Sequence, residues 1–468
     1  MRCQLRGVVA LAALALPLGA CGNSGPGSAA DAGADAGGAG MVCATGRPAV
    51  AHGAGAQVLA PQPAGAPIPC AAATGYAAVD ATLVITGSGK IMFAPAKLPG
   101  LTVSVDDGAT WSTPLTLPDE PSGTLLHPWL WQDAASHRLF YNVFPITTGT
   151  CSDGSGATLW TSDDQGGSWT SGSVGCGSDD WGKVITGPPS TDASRAALAQ
   201  SGYPDMVYYC ATGPTAIIGP DHICYRSTDG GRTFTQTATD PVSGSGGGYP
   251  TAGVVGPDGT VYVPKGSPNG LAIAVSKDEG DTWTDATVTG SMFVGTSTKN
   301  WLSMNVTVDA QGNLYAVWSD DSDLLPRLSA SMDEGATWSS PLAIAAPGVK
   351  TSAYPSVTVS SAGAVAVAYY GSTQARVTGD GYLTSDGLPY SAYLVVTQSP
   401  LASVPVFWSA TFNDPTQPLF TGLTYRVSEY LGYPTFASDG SIWGAYVNAG
   451  NGLAGRLVFP AADGSVTL

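Results

Sequence analysis

The sequence predicts an all-β protein, a β-propeller of four-stranded antiparallel blades, with seven blades preferred and six as the alternative. Charged residues make up only 11% of the 468 residues, whereas Gly, Tyr and Trp are frequent. This composition favours strands and turns over surface helices. One octet also recurs at intervals of about 50 to 65 residues. Repeated units of that length, each containing four short strands, are typical of propeller blades.

The recurring octet has the frame Ser-x-Asp-x-Gly-x-Thr/Ser-Trp/Phe. Its five copies are SVDDGATW (104–111), SDDQGGSW (162–169), STDGGRTF (227–234), SKDEGDTW (276–283) and SMDEGATW (331–338). Their aspartates are Asp106, Asp164, Asp229, Asp278 and Asp333.

Every residue type in the octet suits a hairpin turn between the third and fourth strands of a blade. The Ser hydroxyl and the Asp carboxylate accept backbone N–H groups. The Gly permits a positive φ, and the aromatic residue starts the next strand and packs into the core. Because catalysis needs one such Asp rather than five equivalent ones, the octet is predicted to be structural.

The segment 300–344 shows a complete unit. Its predicted strands are SMNVTVD, NLYAVWSD, RLSASMD and TWSSPLAI, and its first hairpin turn is AQG. Comparable openings are HPWLW (127–131), GYPTAGVVG (248–256), AYPSVTVS (353–360) and GYPTFAS (432–438), and less regular units begin in segments 81–96 and 180–189. Seven units result.

The N-terminal sequence is typical of an export signal. Residues 1–21 contain two arginines, an apolar run and the ending LGAC, which is typical of a bacterial lipoprotein signal with Cys21 as the lipidated residue. An ordinary signal peptide cut near Ala20 is the alternative. Residues 22–41 form a Gly/Ala/Ser/Asp-rich tether that cannot bury a core, and residues 42–468 form the propeller.

Six cysteines follow the leader: Cys43, Cys70, Cys151, Cys176, Cys210 and Cys224. Export makes disulfides the expected state, and six cysteines allow 15 pairings. We expect sequential pairing, 43–70, 151–176 and 210–224, since it closes short loops. No CxxC motif or Cys/His cluster is present, so no metal site is predicted.

The net charge of −17 comes from 35 acidic and 18 basic residues, and the basic residues form no cluster. Nucleic-acid binding needs a basic surface and is therefore not expected. We also expect no cofactor and a monomeric protein. The acidic stretch SDDSD (319–323) has the ligand type for calcium, but a solvated loop is the preferred interpretation.

The octet resembles the Asp-box, or BNR repeat, of sialidase-like β-propellers, and the resemblance covers residues 71–468. It implies the propeller fold, with the boxes on the face opposite the active site. Non-catalytic propellers carry the same boxes, so the motif alone does not imply an activity.

Sialidase chemistry, as the resemblance implies it, needs three arginines that bind a carboxylate, a Tyr nucleophile with a Glu, and an Asp acid/base. No arginine lies between Arg47 and Asp106, where the family places its first one. The remaining loop candidates are Arg195, Arg327, Arg376 and Arg426. The stretch YRVSEY supplies Arg426, Glu429 and Tyr430 as the candidate catalytic group, although strand-edge polar residues are the simpler interpretation.

Aromatic residues recur where the chain reaches each innermost strand. The candidate ligand-binding residues are Trp129, Tyr249, Lys299, Trp301, Tyr354 and Tyr433, with Glu429 nearby. Aromatic rings on a concave polar face suit sugars, and packing within the blades is the alternative role.

Taken together, the sequence predicts an exported lipoprotein at the outer membrane or cell surface, held to the membrane through its lipid anchor. Its propeller is expected to recognise a glycan or a surface protein. The alternative is a sialidase-like, exo-acting glycoside hydrolase. Of the two functions, binding is preferred over catalysis.

Overall fold

The computed structural model describes most of the chain outside the leader and tether. The described residues are 40–95, 100–120, 125–145, 157–174, 182–192, 202–212, 222–238, 251–267, 269–293, 304–376, 386–422 and 432–461. All structural statements below concern these ranges.

Thirty strands and one short 3-10 turn (Ala54–Ala56) make up the secondary structure within the described ranges. The strands are β1 Val42–Cys43, β2 Val50–His52, β3 Ile68–Ala77, β4 Thr82–Ile85, β5 Ile91–Ala94, β6 Thr102–Ser104, β7 Leu125–Gln132, β8 Leu139–Pro145, β9 Ala157–Ser162, β10 Thr170–Val174, β11 Lys183–Gly187, β12 Met206–Thr212, β13 His222–Ser227, β14 Thr235–Gln236, β15 Val254–Val255, β16 Val261–Ser267, β17 Gly270–Ser276, β18 Thr284–Thr287, β19 Met304–Val308, β20 Leu314–Ser319, β21 Pro326–Ser331, β22 Leu342–Ala343, β23 Thr351–Val359, β24 Val365–Ser372, β25 Pro389–Thr397, β26 Phe407–Thr411, β27 Phe420–Thr421, β28 Thr435–Phe436, β29 Ile442–Asn448 and β30 Asn451–Val458.

These strands form a seven-bladed β-propeller of antiparallel sheets, which confirms the predicted fold class and the preferred blade number. Blades 1 to 5 follow chain order, as β4–β6, β7–β10, β11–β14, β15–β18 and β19–β22. Blade 6 contains β23–β26, and blade 7 contains β28–β30. The strands predicted for segment 300–344 correspond to β19, β20, β21 and a shorter β22.

The middle strands of each blade are the most deeply buried. Every residue of β17, β20 and β24 is buried, because neighbouring blades cover both faces of each sheet. By contrast, no residue of the outer strand β18 is buried. The side chains between blades form the core, and its large members include Trp160, Trp318 and Trp443.

The ring closes through strands from both ends of the chain. In blade 7, β30 pairs with the N-terminal strand β3, which supplies the fourth strand, and β1 pairs with β3 on the outside. The Thr74 hydroxyl donates to the Gly452 carbonyl, 378 residues away. The N-terminal strand β2 likewise extends blade 6 by pairing with β26.

Two of the three predicted disulfides are confirmed. Cys43 and Cys70 join β1 to β3, and Cys210 and Cys224 join β12 to β13. Cys151 and Cys176 lie outside the described residues, so their pairing stays a prediction.

Each octet forms the predicted turn after a third strand. In every copy the Ser hydroxyl accepts the Gly N–H at 2.8 to 2.9 Å and donates to the Asp carboxylate. The Asp then accepts the N–H and the hydroxyl of the following Thr or Ser. At Asp164, the hydroxyl and N–H of Ser168 lower the pKa to about 2, so this carboxyl stays ionised.

The glycine of each octet has a second role that the sequence did not reveal. All five have φ between 80° and 89°, and each packs against the blade before it. A Cβ at Gly166 would lie 2.6 Å from the Met92 methyl of blade 1, and one at Gly335 would lie 3.1 Å from Ala286 of blade 4. The octet therefore shapes a turn and also spaces two blades.

We expect Ser227→Ala to destabilise the propeller more than its small size suggests. The Ser227 side chain is 1% exposed, accepts the Gly231 N–H and donates to Asp229. Loss of these bonds leaves a buried N–H unpaired and should cost about 1–3 kcal/mol of unfolding free energy. Chemical denaturation measures this cost.

Ser340→Ala, which removes the hydroxyl of an exposed serine in blade 5, is the control. Equal midpoints for the Ser227→Ala and Ser340→Ala variants would contradict the structural role of the octet.

Candidate functional site

The two faces of the ring differ in which turns they carry. Since strands alternate in direction, the ends of the first and third strands of a blade lie at the same edge. The octets follow third strands, so they share one face with the turns after the first strands; we call this the box face. Contacts support this assignment: Arg138, after β7, binds Asp163 and the Gly230 carbonyl of two octets.

A cavity of about 850 Å³ lies between the innermost strands. Its lining includes residues at the ends of first strands and in the turns that follow them, such as Ile85, Gln132, Ser361 and Ser438. The cavity therefore opens on the box face. This volume falls within the range of small-molecule sites.

Three aromatic side chains cross the centre of the ring at the inner end of the cavity. The rings of Trp129 and Trp131 are stacked, with centroids 6.1 Å apart, and Tyr433 packs edge-on against both, at 5.2 and 6.4 Å. Trp129 is 1% exposed, whereas Trp131 and Tyr433 are half-buried.

Hydrogen bonds fix this aromatic cluster to other blades. The indole N–H groups of Trp129 and Trp131 donate to the Val184 carbonyl and to the Thr186 hydroxyl of blade 3. The Tyr433 hydroxyl, from blade 7, donates to the Ala252 carbonyl beside blade 4 at 2.6 Å. Side chains anchored from opposite sides of the ring form a rigid, preorganised surface.

The polar groups of the cavity are neutral. Amides and hydroxyls line it, among them Gln132, Gln398, Ser360 and Thr435, and none of the described lining residues is charged. The Gln132 Nε2 atom is buried and has no acceptor among the described residues. An unpaired buried donor at a cavity wall is costly unless a ligand or water supplies the acceptor.

The structure brings together Trp129 and Tyr433, two of the six candidate ligand-binding residues, and their role in binding stays a prediction. Tyr354 lies in β23 with φ of 54°, is 4% exposed and packs in the core. Tyr249, Lys299 and Trp301, like the candidate catalytic residues Arg426, Glu429 and Tyr430, lie outside the described residues. Their roles stay predictions.

The described arginines at the predicted loop positions are each paired. Arg327 binds Asp323, and Arg376 lies 3.7 Å from the Asp386 carboxylate. Arg195 lies outside the described residues. In the SDDSD stretch, the Asp320 oxygens accept the Trp318 indole and the Ser322 hydroxyl, and no metal-binding cluster occurs within the described ranges.

A buried hydrogen-bonded pair, Asp80 and His127, lies at the other end of the inner strands. Asp80 precedes β4 and His127 lies in β7, with their side chains 1% and 2% exposed and the Oδ2–Nδ1 distance 2.9 Å. Lys183, at the start of β11, places its Nζ 5.1 Å from the Trp129 ring centroid. These groups tie blades 1, 2 and 3 together near the axis.

Sequence reasoning missed Trp131, Gln132 and Phe436. The segment HPWLW contained the pattern that predicts Trp131. Trp129 and Trp131 are two residues apart and therefore point to the same side of a strand. The cavity opens on the box face, whereas the site expected on the opposite face stays a prediction, since Tyr249, Lys299 and Trp301 lie outside the described residues.

No protein-family model matches the chain, and no curated protein is detectably similar to it in sequence. Among solved structures, virginiamycin B lyase from Staphylococcus aureus is 11% identical, with a TM-score of 0.46, over 80% of this chain and 93% of that one. A Hadza microbial sialidase is 14% identical, with a TM-score of 0.41, over 72% and 66%.

A third similar structure is the Aleuria aurantia lectin, in complex with Fucα1-6GlcNAc, at 12% identity and a TM-score of 0.40 over 67% and 91%. These likenesses are too distant to assign an activity. Separately, the described part of the chain contains no helix of the length and hydropathy needed to span a membrane.

Proposed function

We propose that this protein is a non-catalytic recognition protein whose propeller binds a neutral carbohydrate in the cavity on the box face. The observation that carries the proposal is the cavity wall itself, which combines half-buried aromatic rings with amides and hydroxyls and has no described charged residue. Aromatic faces suit the C–H faces of sugar rings, and amides and hydroxyls pair with sugar hydroxyls.

The electrostatics favour an uncharged ligand. A carboxylate that enters this cavity loses its hydration and meets no cationic side chain among the described lining residues. The net charge of −17 adds a long-range repulsion for anions. Sialosides therefore fit this cavity poorly, in contrast to neutral oligosaccharides. Catalysis by Arg426, Glu429 and Tyr430 is the alternative function.

A glycan array that contains each oligosaccharide with and without terminal sialic acid tests this function. We expect binding to neutral members, weaker binding to their sialylated counterparts, and no release of fluorophore from a fluorogenic sialoside. Gln132→Ala should weaken the neutral signal, since it removes the unpaired amide donor. Gln417→Ala, an exposed turn residue that does not line the cavity, is the control.

Sialoside turnover well above background would overturn the proposal if Tyr430→Phe abolished it in folded protein. It would establish the hydrolase alternative in its place.

We further propose that the protein is anchored to a membrane through Cys21, on the basis of the LGAC signal. We expect Cys21→Ala to shift the protein from the membrane fraction to the soluble fraction. Cys3→Ala, which changes the other leader cysteine, is the matched control and should leave the protein in the membrane. Equal partition of both variants would count against lipidation.

A further inference from the structure

The cavity on the box face is surrounded by the ring of blades. Its wall includes residues of six of the seven blades, for example Thr82 of blade 1, Val254 of blade 4 and Thr358 of blade 6. On the side of blade 3, Trp131 forms the wall, and its indole N–H donates to the Thr186 hydroxyl of that blade. A surface groove is open along its length, whereas this cavity has a continuous wall.

The order of residues within the first strands gives their depth in the cavity. These strands end at the box face, so residues that come earlier in a strand lie farther from the mouth. Trp129 precedes Trp131 in β7, and Tyr433 precedes Thr435 at the start of β28. Trp129 and Tyr433 therefore lie at the inner end of the cavity, and Trp131 and Thr435 lie nearer its mouth.

Two side chains obstruct the central channel at this inner end. The hydroxyl of Tyr433, from blade 7, donates to the Ala252 carbonyl beside blade 4 at 2.6 Å, and these blades lie on opposite sides of the axis. The Trp129 ring packs edge-on against Tyr433 at 5.2 Å and is 1% exposed. Its indole N–H donates to the Val184 carbonyl of blade 3 at 2.7 Å. A chain that enters from the box face therefore cannot pass through the ring.

The aromatic surface lies deeper than many of the polar groups. Trp131 is half-buried and lies one position before Gln132, the last residue of β7. Ser361 and Ser438 line the cavity from turns at its mouth. A sugar residue that stacks on Trp131 is therefore enclosed by the wall, and the rest of its chain leaves past the hydroxyls of the mouth.

We propose that the cavity receives a neutral glycan end-on, so that the protein recognises the terminal residues of a chain and not an internal segment. The inference rests on the proposed function and adds which part of the glycan is bound. An internal segment continues on both sides, and the obstructed channel gives its second arm no exit. This steric exclusion discriminates between ligands in the same way as a built-in clash.

The test uses chains of increasing length built on the neutral array glycan of strongest signal. We expect the affinity per chain to rise until the cavity is filled and then to stay constant, with one protein bound per chain at every length. Analytical ultracentrifugation measures the stoichiometry, and isothermal titration measures the affinity. A bulky aromatic tag on the inserted end should abolish binding, whereas the same tag on the other end should leave the affinity unchanged.

Two results would overturn end-on recognition. One is a number of bound copies that grows with chain length, and the other is undiminished binding of a chain tagged at both ends. Both require contact with internal residues of the glycan. These measurements use the wild-type protein, so they decide the question even if a variant fails to fold.

Ala362→Trp tests entry through the mouth. Ala362 is exposed in the turn after β23 and lines the cavity, so a large side chain there narrows the opening. We expect loss of glycan binding in folded protein. Ala310→Trp is the matched control, because Ala310 is exposed in the turn after β19 of blade 5 and does not line the cavity. Equal affinities of the two variants would contradict entry by this route.

Failure of end-on recognition and failure of the proposed function give different results. If no neutral glycan binds, the proposed function fails, and end-on recognition fails with it. If neutral glycans bind but the number of bound copies grows with chain length, the proposed function stands and end-on recognition alone is refuted.

Discussion

Replacing both Cys43 and Cys70 by alanine is expected to lower the free energy of unfolding by about 3–4 kcal/mol. The disulfide joins residues 27 positions apart and holds β1 on β3, the strand that completes blade 7. Without it, the unfolded chain gains conformational freedom, and the N-terminal strands separate more readily from β30. Chemical denaturation under non-reducing conditions gives the change in stability.

The matched control is the Cys210→Ala, Cys224→Ala variant, whose disulfide lies within the β12–β13 hairpin of blade 3. That variant also loses stability, but it leaves ring closure intact. Hydrogen exchange separates the two: amides of β3 and β30 should exchange faster in the Cys43/Cys70 variant alone. Unchanged exchange in these strands would show that closure does not depend on the disulfide.

Trp131→Ala is expected to reduce the affinity for a neutral glycan about tenfold or more. Large aromatic side chains at the centre of binding sites commonly contribute about 2 kcal/mol or more when truncated. The Trp131 ring supplies an accessible face of the aromatic cluster, since Trp129 beside it is almost fully buried. Isothermal titration or array binding measures the change.

Trp338→Ala provides the control for this experiment. Trp338 is also half-buried on the box face, but it lies in the octet of blade 5 and does not line the cavity. We expect it to lower stability and to leave affinity unchanged. Equal losses of affinity in the two variants would place the ligand elsewhere.

Much of this fold was predictable because its information is local. Each octet carries within eight residues the groups that its turn needs, as the contacts of Ser227 and Asp229 show. The spacing of the five turns indicates the length of a unit, and the apolar segments within a unit predict its four strands. Ring closure was not predictable in this way. The strands β3 and β30 pair across almost the whole chain, and the sequence of neither strand identifies the other as its partner.

The candidate site was only partly predictable for a related reason. A stacking pair such as Trp129 and Trp131 follows from strand periodicity, whereas Tyr433 joins them from another blade, and only the closed ring brings them together.

The pairing of β3 with β30 also sets an order of events for a newly made chain. Proteins dominated by contacts between distant residues fold slowly, and this pair is among the most distant that the chain offers. Blades 1 to 5 can form one after another from contiguous sequence, but the last interface waits until the C-terminal strands have been synthesised. Until then, the N-terminal strand lacks its partner and exposes an unpaired edge, which makes this stage the most prone to aggregation and to capture by chaperones.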